Sequence, residues 1–155
     1  MRSGTENVAG IAGMAAALAA GCKKMRREAA RLEEMRESIL AGLADVKADY
    51  IVNGSADRLP GFLSLSFKNM DGEMLLHRLD LLGVAVSTGS ACHAGKEAVS
   101  PVIRAIGVGE EYRRGTIRLT LGAGNTPEEA VRIAAALRNA VRERVQPFSS
   151  RSRLS

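Results

Sequence analysis

A chain of 155 residues is long enough for one domain with a sizeable core. Its 46% hydrophobic and 25% charged residues are ordinary for a globular protein, while 3% aromatics and no Trp require an aliphatic core. The net charge of +5 and sequence pI near 9.7 invite a nucleic-acid partner, but the arginines form no tract and few rings could stack on bases, so that partner is set aside in favour of a solvated basic surface.

The two cysteines, Cys22 and Cys92, lie far apart with no C-x-x-C, which argues against a disulfide framework or zinc ribbon and fits a reducing compartment. No apolar stretch reads as long enough to span a bilayer, and the start of the chain lacks a signal-peptide core. The expectation is a cytoplasmic protein without a membrane partner.

RSGTEN at Arg2–Asn7 is a short polar segment in which Thr5 is a plausible N-cap. Val8, Ile11, Ala15, Leu18, Cys22, Met25, Ala29 and Leu32 then follow in steps of three and four, one stripe of a long helix that continues less regularly through Ile39 and Leu43. Cys22 falls on that stripe and is expected to pack in the core. Lys23, Lys24, Arg27, Glu28, Arg31 and Glu34 form the opposite, solvated face.

Asn53-Gly54 and Pro60-Gly61 are turn signals, and FLSLSF at Phe62–Phe67 alternates as a half-buried strand. Asp71-Gly72 opens a helix through Met74, Leu75, Leu79 and Leu82, which Gly83 closes in the left-handed conformation. His77 on that helix has no second ligand at metal spacing, so no metal site is expected. Val84–Val86 is expected as a short strand, and Ser100-Pro101 starts a helix with Val102, Ile103 and Ile106 inward and Gly107 at its end. TIRLTL at Thr116–Leu121 alternates so that Arg118 leaves the opposite face from Ile117 and Leu119. Thr126-Pro127-Glu128-Glu129 is a capping box that launches a helix with Ile133, Leu137 and Val141 inward. Residues 146–155, QPFSSRSRLS, read as a disordered tail. The element order predicts a small α/β layer of about three strands with helices packed on it.

Between the last two strands runs VSTGSACHAG, Val86–Gly95, rich in Gly, Ser, Thr and Ala and unable to build a core. A single cysteine is ordinarily a small buried hydrophobe. In this setting Cys92 is expected on an exposed loop, with His93 and Lys96 able to lower its pKa from about 8.5 and raise the nucleophilic thiolate fraction.

Five segments, RSGTEN, RLPGFLSLSF at Arg58–Phe67, VAVSTGSACHAG at Val84–Gly95, SPVIRAIG at Ser100–Gly107 and IRLTLGAGNTPEEA at Ile117–Ala130, occur in one order. Together they resemble the carboxyl-terminal part of the cysteine desulfurases, class-V aminotransferase-like pyridoxal-phosphate enzymes that feed iron-sulfur cluster assembly. The resemblance runs from Arg2 to about Val145 and implies an α/β (α+β) fold, the small C-terminal domain of a fold type I transferase over residues 1–145.

By that resemblance Cys92 corresponds to the loop cysteine that takes sulfur from L-cysteine as a persulfide and leaves L-alanine. Arg118 corresponds to the arginine that grips the substrate α-carboxylate, a task suited to a planar guanidinium fork. Thr5 corresponds to a threonine that reaches the pyridoxal-phosphate phosphate of the other subunit in a homodimer. From the residues alone, Arg118 reads as a surface strand arginine and Thr5 as a plain helix cap. The partners implied are L-cysteine, a second copy and a sulfur-acceptor or iron-sulfur scaffold protein.

The chain also departs from the family. It has no Ser-x-His-Lys segment for the Schiff-base lysine, and Lys23, Lys24, Lys47, Lys68 and Lys96 all lie elsewhere in the pattern. His93-Ala94 stands where Thr-Ser or Ser-Ser is common, and Ala123-Gly124 follows the last strand. The expectation is a fragment without desulfurase activity of its own, whose first helix is partly uncovered and drives self-association. The competing expectation is a stand-alone thiol carrier that uses Cys92 without a cofactor; a Cys22–Cys92 redox switch is disfavoured because Cys22 is expected inside a helix seam.

Overall fold

The computed structural model describes residues 4–88 and 99–143. Helix α1 runs Val8–Ala41, and its N-cap is Asn7, whose Oδ1 accepts from the Gly10 amide at 3.0 Å. Thr5 therefore lies outside the cap, because an asparagine two residues on reaches the free amide of the first turn. Only the second half of α1 packs, burying Met35, Arg36 and Ile39. Its end runs close against a later helix: a Cβ added to Gly42 would lie 2.6 Å from the Ala134 methyl.

A four-stranded antiparallel sheet in the order β1-β2-β4-β3 carries the core. β1 is Tyr50–Val52, β2 Phe62–Phe67, β3 Ser87–Thr88 and β4 Thr116–Thr120. The sequence suggests about three strands; β1 is additional, since three residues are too few for alternation to register. The strand expected at Val84–Val86 forms instead at Ser87–Thr88, while the Val84 amide closes the preceding helix by donating to the Leu79 carbonyl at 2.8 Å.

Leu63, Leu65 and Phe67 on β2 and Ile117 and Leu119 on β4 point to one side and are fully buried. Ile39 near the end of α1, Leu43 just beyond it, Leu75 and Leu79 on α2 (Gly72–Leu81), and Leu137 and Val141 on α5 (Pro127–Arg142) complete this aliphatic core. Asp71 caps α2 by accepting from the Glu73 and Met74 amides, and Gly83 follows with φ of +74°. Thr126 and Glu129 form the reciprocal capping box of α5.

Two short helices, α3 (Pro101–Ala105) and α4 (Glu110–Arg113), lead back to β4. Ile103 is buried there, whereas Val102 and Ile106 are exposed, contrary to expectation. A five-residue helix makes little more than one turn and has room for one inward side chain. At the start of α2 and just past its end, Met74 and Leu82 are exposed as well.

The N-terminal half of α1 stands clear of the sheet. Val8, Ile11, Met14, Leu18 and Met25 are all more than half exposed, and Cys22 is exposed with them. The expectation of a buried Cys22 is thus overturned: the stripe is real, but before Glu28 it stays exposed and, among the described residues, borders only an open cleft whose far wall is Pro60 and Ala123. With it falls the ground for discounting a Cys22 redox role. The sequence expectation about membrane length is corrected as well, since α1 holds an 18-residue window of mean hydropathy 1.2, long and apolar enough by length and composition to cross a bilayer. The uncharged run Val8–Cys22 covers about 22 Å of the roughly 30 Å hydrocarbon layer before Lys23 and Lys24.

Candidate functional site

The second face of the sheet is polar. Ser64 on β2, Arg118 on β4 and Ser87 on β3 are register partners and form one row across three strands, with Arg118 in the middle. Alternation aims Arg118 away from the core formed by its neighbours Ile117 and Leu119, so its guanidinium is exposed. Arg118 Nη2 donates to Ser87 Oγ at 3.4 Å. The Ser87 hydroxyl is turned toward the Thr88 carbonyl at 3.3 Å, leaving its oxygen to accept from the arginine.

Beside the row, on the same face and one pair further along β2 and β4, lies a hydrogen-bond chain. Thr116 Oγ1 donates to the Arg113 carbonyl at 2.9 Å and meets Ser66 Oγ at 2.7 Å. Asn53 Nδ2 donates to Ser66 Oγ at 2.8 Å and to Ser64 Oγ at 3.0 Å. Asn53 Oδ1 is buried and has no hydrogen-bond partner among the described residues. Sequence alternation places Arg118 on this face but is silent on Ser64, Ser87 and Asn53, because their meeting depends on strand register.

Cys92 lies outside the described residues, as do its neighbours through residue 98. In the sequence Cys92 follows Thr88 by four residues, and Thr88 follows the Arg118 partner Ser87; four residues of chain reach at most about 14 Å. Thr5 is exposed at the foot of α1.

Pyridoxal phosphate, implied by the resemblance, needs a lysine amine, an anion cradle for its phosphate and a surface to stack its ring. The described residues do not fit it. Lys23, Lys24 and Lys47 are exposed, and the Lys68 ammonium lies over the Tyr112 ring at 5.9 Å. Lys24 does border a cleft of about 600 Å³ along α1, but Leu18, Met25, Leu32 and Pro60 make that cleft apolar. What the polar sheet face does fit is a carboxylate, through the exposed guanidinium of Arg118.

The family model for aminotransferase class-V matches residues 1–133. The chain belongs to the class-V aminotransferase family. Within it, the chain is 43% identical over 129 residues to the cysteine desulfurase IscS of Dictyoglomus turgidum, covering 83% of this chain and 33% of that relative. It is 34% identical over 149 residues to cysteine desulfurase IscS 1 of Archaeoglobus fulgidus, covering 96% of this chain and 39% of the relative. This class-V chain thus spans between a third and two-fifths of the length of these relatives. Its fold matches a NifS-like protein with a TM-score of 0.75 at 29% identity, over 92% of this chain and 35% of that one. A NifS-like protein from Rickettsia africae gives 0.71 at 28% identity, over 90% and 36%.

Proposed function

We propose that this class-V chain forms the carboxylate-binding and sulfur-accepting part of a cysteine desulfurase. In this role L-cysteine is the substrate, a second copy completes a homodimer in the cytoplasm, and a sulfur acceptor such as an iron-sulfur scaffold is the recipient. Residues 1–145 act as one small domain. The observation that carries the reading is the position of Arg118, exposed on β4 beside the strand whose next residues lead to Cys92.

The residues divide the work. Arg118 holds the α-carboxylate and so fixes the substrate by its unreactive end. The Cys92 sulfur receives the substrate sulfur: the carbon–sulfur bond breaks, a sulfur–sulfur bond forms on Cys92, and a proton replaces sulfur on the substrate carbon to leave L-alanine. Thr5, exposed at the foot of α1, is assigned by the resemblance to the face turned toward the second copy. The lysine chemistry on the amino acid is not supplied by the described residues, and this chain alone is expected to release no alanine above the free-cofactor background.

A chimera tests the role. When this chain replaces the matching third of the Dictyoglomus turgidum enzyme, the hybrid should form alanine from L-cysteine, and mass spectrometry should find one added sulfur on Cys92. A Cys92→Ser hybrid that still carries the added sulfur elsewhere and turns over at the parent rate would overturn it.

A further inference from the structure

The hydrogen-bond chain beside Arg118 has a direction. Thr116 gives its only hydroxyl proton to the Arg113 carbonyl, so at the 2.7 Å contact it must accept from Ser66. The Ser66 proton is then committed, and Ser66 accepts in turn from Asn53 Nδ2 at 2.8 Å. This fixes the Asn53 amide: turned over, its oxygen would face a Ser66 oxygen with no proton to offer. Asn53 therefore aims its second N–H at Ser64 Oγ at 3.0 Å and leaves its own buried Oδ1 without a partner among the described residues.

The chain ends at Ser64 as an oxygen that already accepts and a proton with no acceptor among the described residues. Ser64 is half-buried and directly opposite Arg118 on the polar face. Ser87, on the other side of Arg118, differs: its proton is turned to its own strand and its oxygen accepts from the guanidinium. One serine orients the arginine; the other keeps a donor, uncommitted among the described residues, directly across the strand pair from it. Cross-strand partners stand close enough for both groups to reach one small anion.

We propose that Ser64 is the second ligand of the carboxylate that Arg118 holds, its hydroxyl donating to one oxygen while the guanidinium holds the other. The proposal rests on the reading of Arg118 as the carboxylate-binding residue. The buried Asn53–Ser66–Thr116 chain is the device that keeps the Ser64 proton turned outward, and polarisation along it strengthens that donor.

The test compares two side chains of one shape. L-Alanine and L-alaninamide are titrated into the isotope-labelled chain and followed by NMR at the Arg118 Nε–H and the Ser64 and Ser87 amides. Ser64→Thr keeps the hydroxyl and Ser64→Val removes it, with Ser64→Ala as a second deletion; spectral dispersion reports that each variant is folded. The expected result is that Val and Ala bind L-alanine about tenfold more weakly than Thr and wild type, while L-alaninamide, which lacks the carboxylate, is unaffected. Equal L-alanine affinity of the Thr and Val variants, with binding lost in Arg118→Leu, overturns the role of Ser64 and leaves that of Arg118 standing. Wild-type affinity in Arg118→Leu, or no saturable binding by the wild type, overturns the carboxylate site and the Ser64 proposal together.

Discussion

Arg118 and Ser87 are joined across β4 and β3 by a hydrogen bond from Nη2 to Oγ of 3.4 Å, and Ser87 stands five residues before Cys92 in the sequence. A planar guanidinium fork is able to meet a carboxylate by geometry as well as by charge. In the chimera, Arg118→Lys keeps the charge and loses the fork. The expected outcome is a KM for L-cysteine raised about tenfold or more, with sulfur transfer from an already loaded Cys92 unchanged. Steady-state kinetics and a single-turnover transfer assay separate the two.

Arg31 ties α1 to the turn between β4 and α5. Its Nη1 donates to the Asn125 carbonyl at 2.6 Å, its Nη2 to the Gly122 and Ala123 carbonyls at 3.3 Å, and Glu28 pairs with it at 2.9 Å. Charge-assisted bonds to three carbonyls are worth more than a surface ion pair, so Arg31→Ala should cost about 2 kcal/mol. The neighbouring exposed Arg27→Ala should change stability by less than about 0.5 kcal/mol. Urea unfolding of both variants measures the difference.

Leu65 is fully buried between the sheet and the helices. Removing its side chain should cost about 3 kcal/mol through lost transfer energy and an unfilled cavity, a large part of the margin of a chain this size. A Leu65→Ala chain whose urea midpoint matches the wild type would contradict this packing.

Acid should loosen α5 at its start. Hydrogen bonds from the Asn125 side chain and the Thr126 amide hold the Glu129 carboxyl below its ordinary value of 4.5, and the backbone and Thr126 do the same for Glu128. A folded pKa below the unfolded one means stability that is present above the ordinary glutamate range and is lost as pH falls through the folded values. The urea midpoint should therefore drop between about pH 5 and pH 3. Glu129→Gln, which cannot ionise, should flatten that drop.

The uncovered half of α1 should drive association between copies. Val8, Ile11, Met14 and Leu18 line one exposed apolar stripe, and such a surface is stable in water only when covered. Sedimentation should show concentration-dependent self-association. Leu18→Glu should abolish it without moving the urea midpoint, because Leu18 makes no core contact.

Local chemistry alone placed most elements. The α5 capping box, the Asp71 cap, the alternation of FLSLSF and TIRLT and the outward direction of Arg118 all follow from neighbours within a few residues, and all appear in the fold. Tertiary structure decided the rest. The periodic stripe from Val8 to Leu32 says that α1 has an apolar face, but burial depends on what lies opposite, and only the part beyond Glu28 meets the sheet and α5. Ser64, Arg118 and Ser87 are distant in sequence and become neighbours only through the antiparallel register of three strands, and slipping one strand by a residue would turn its member of the row into the core.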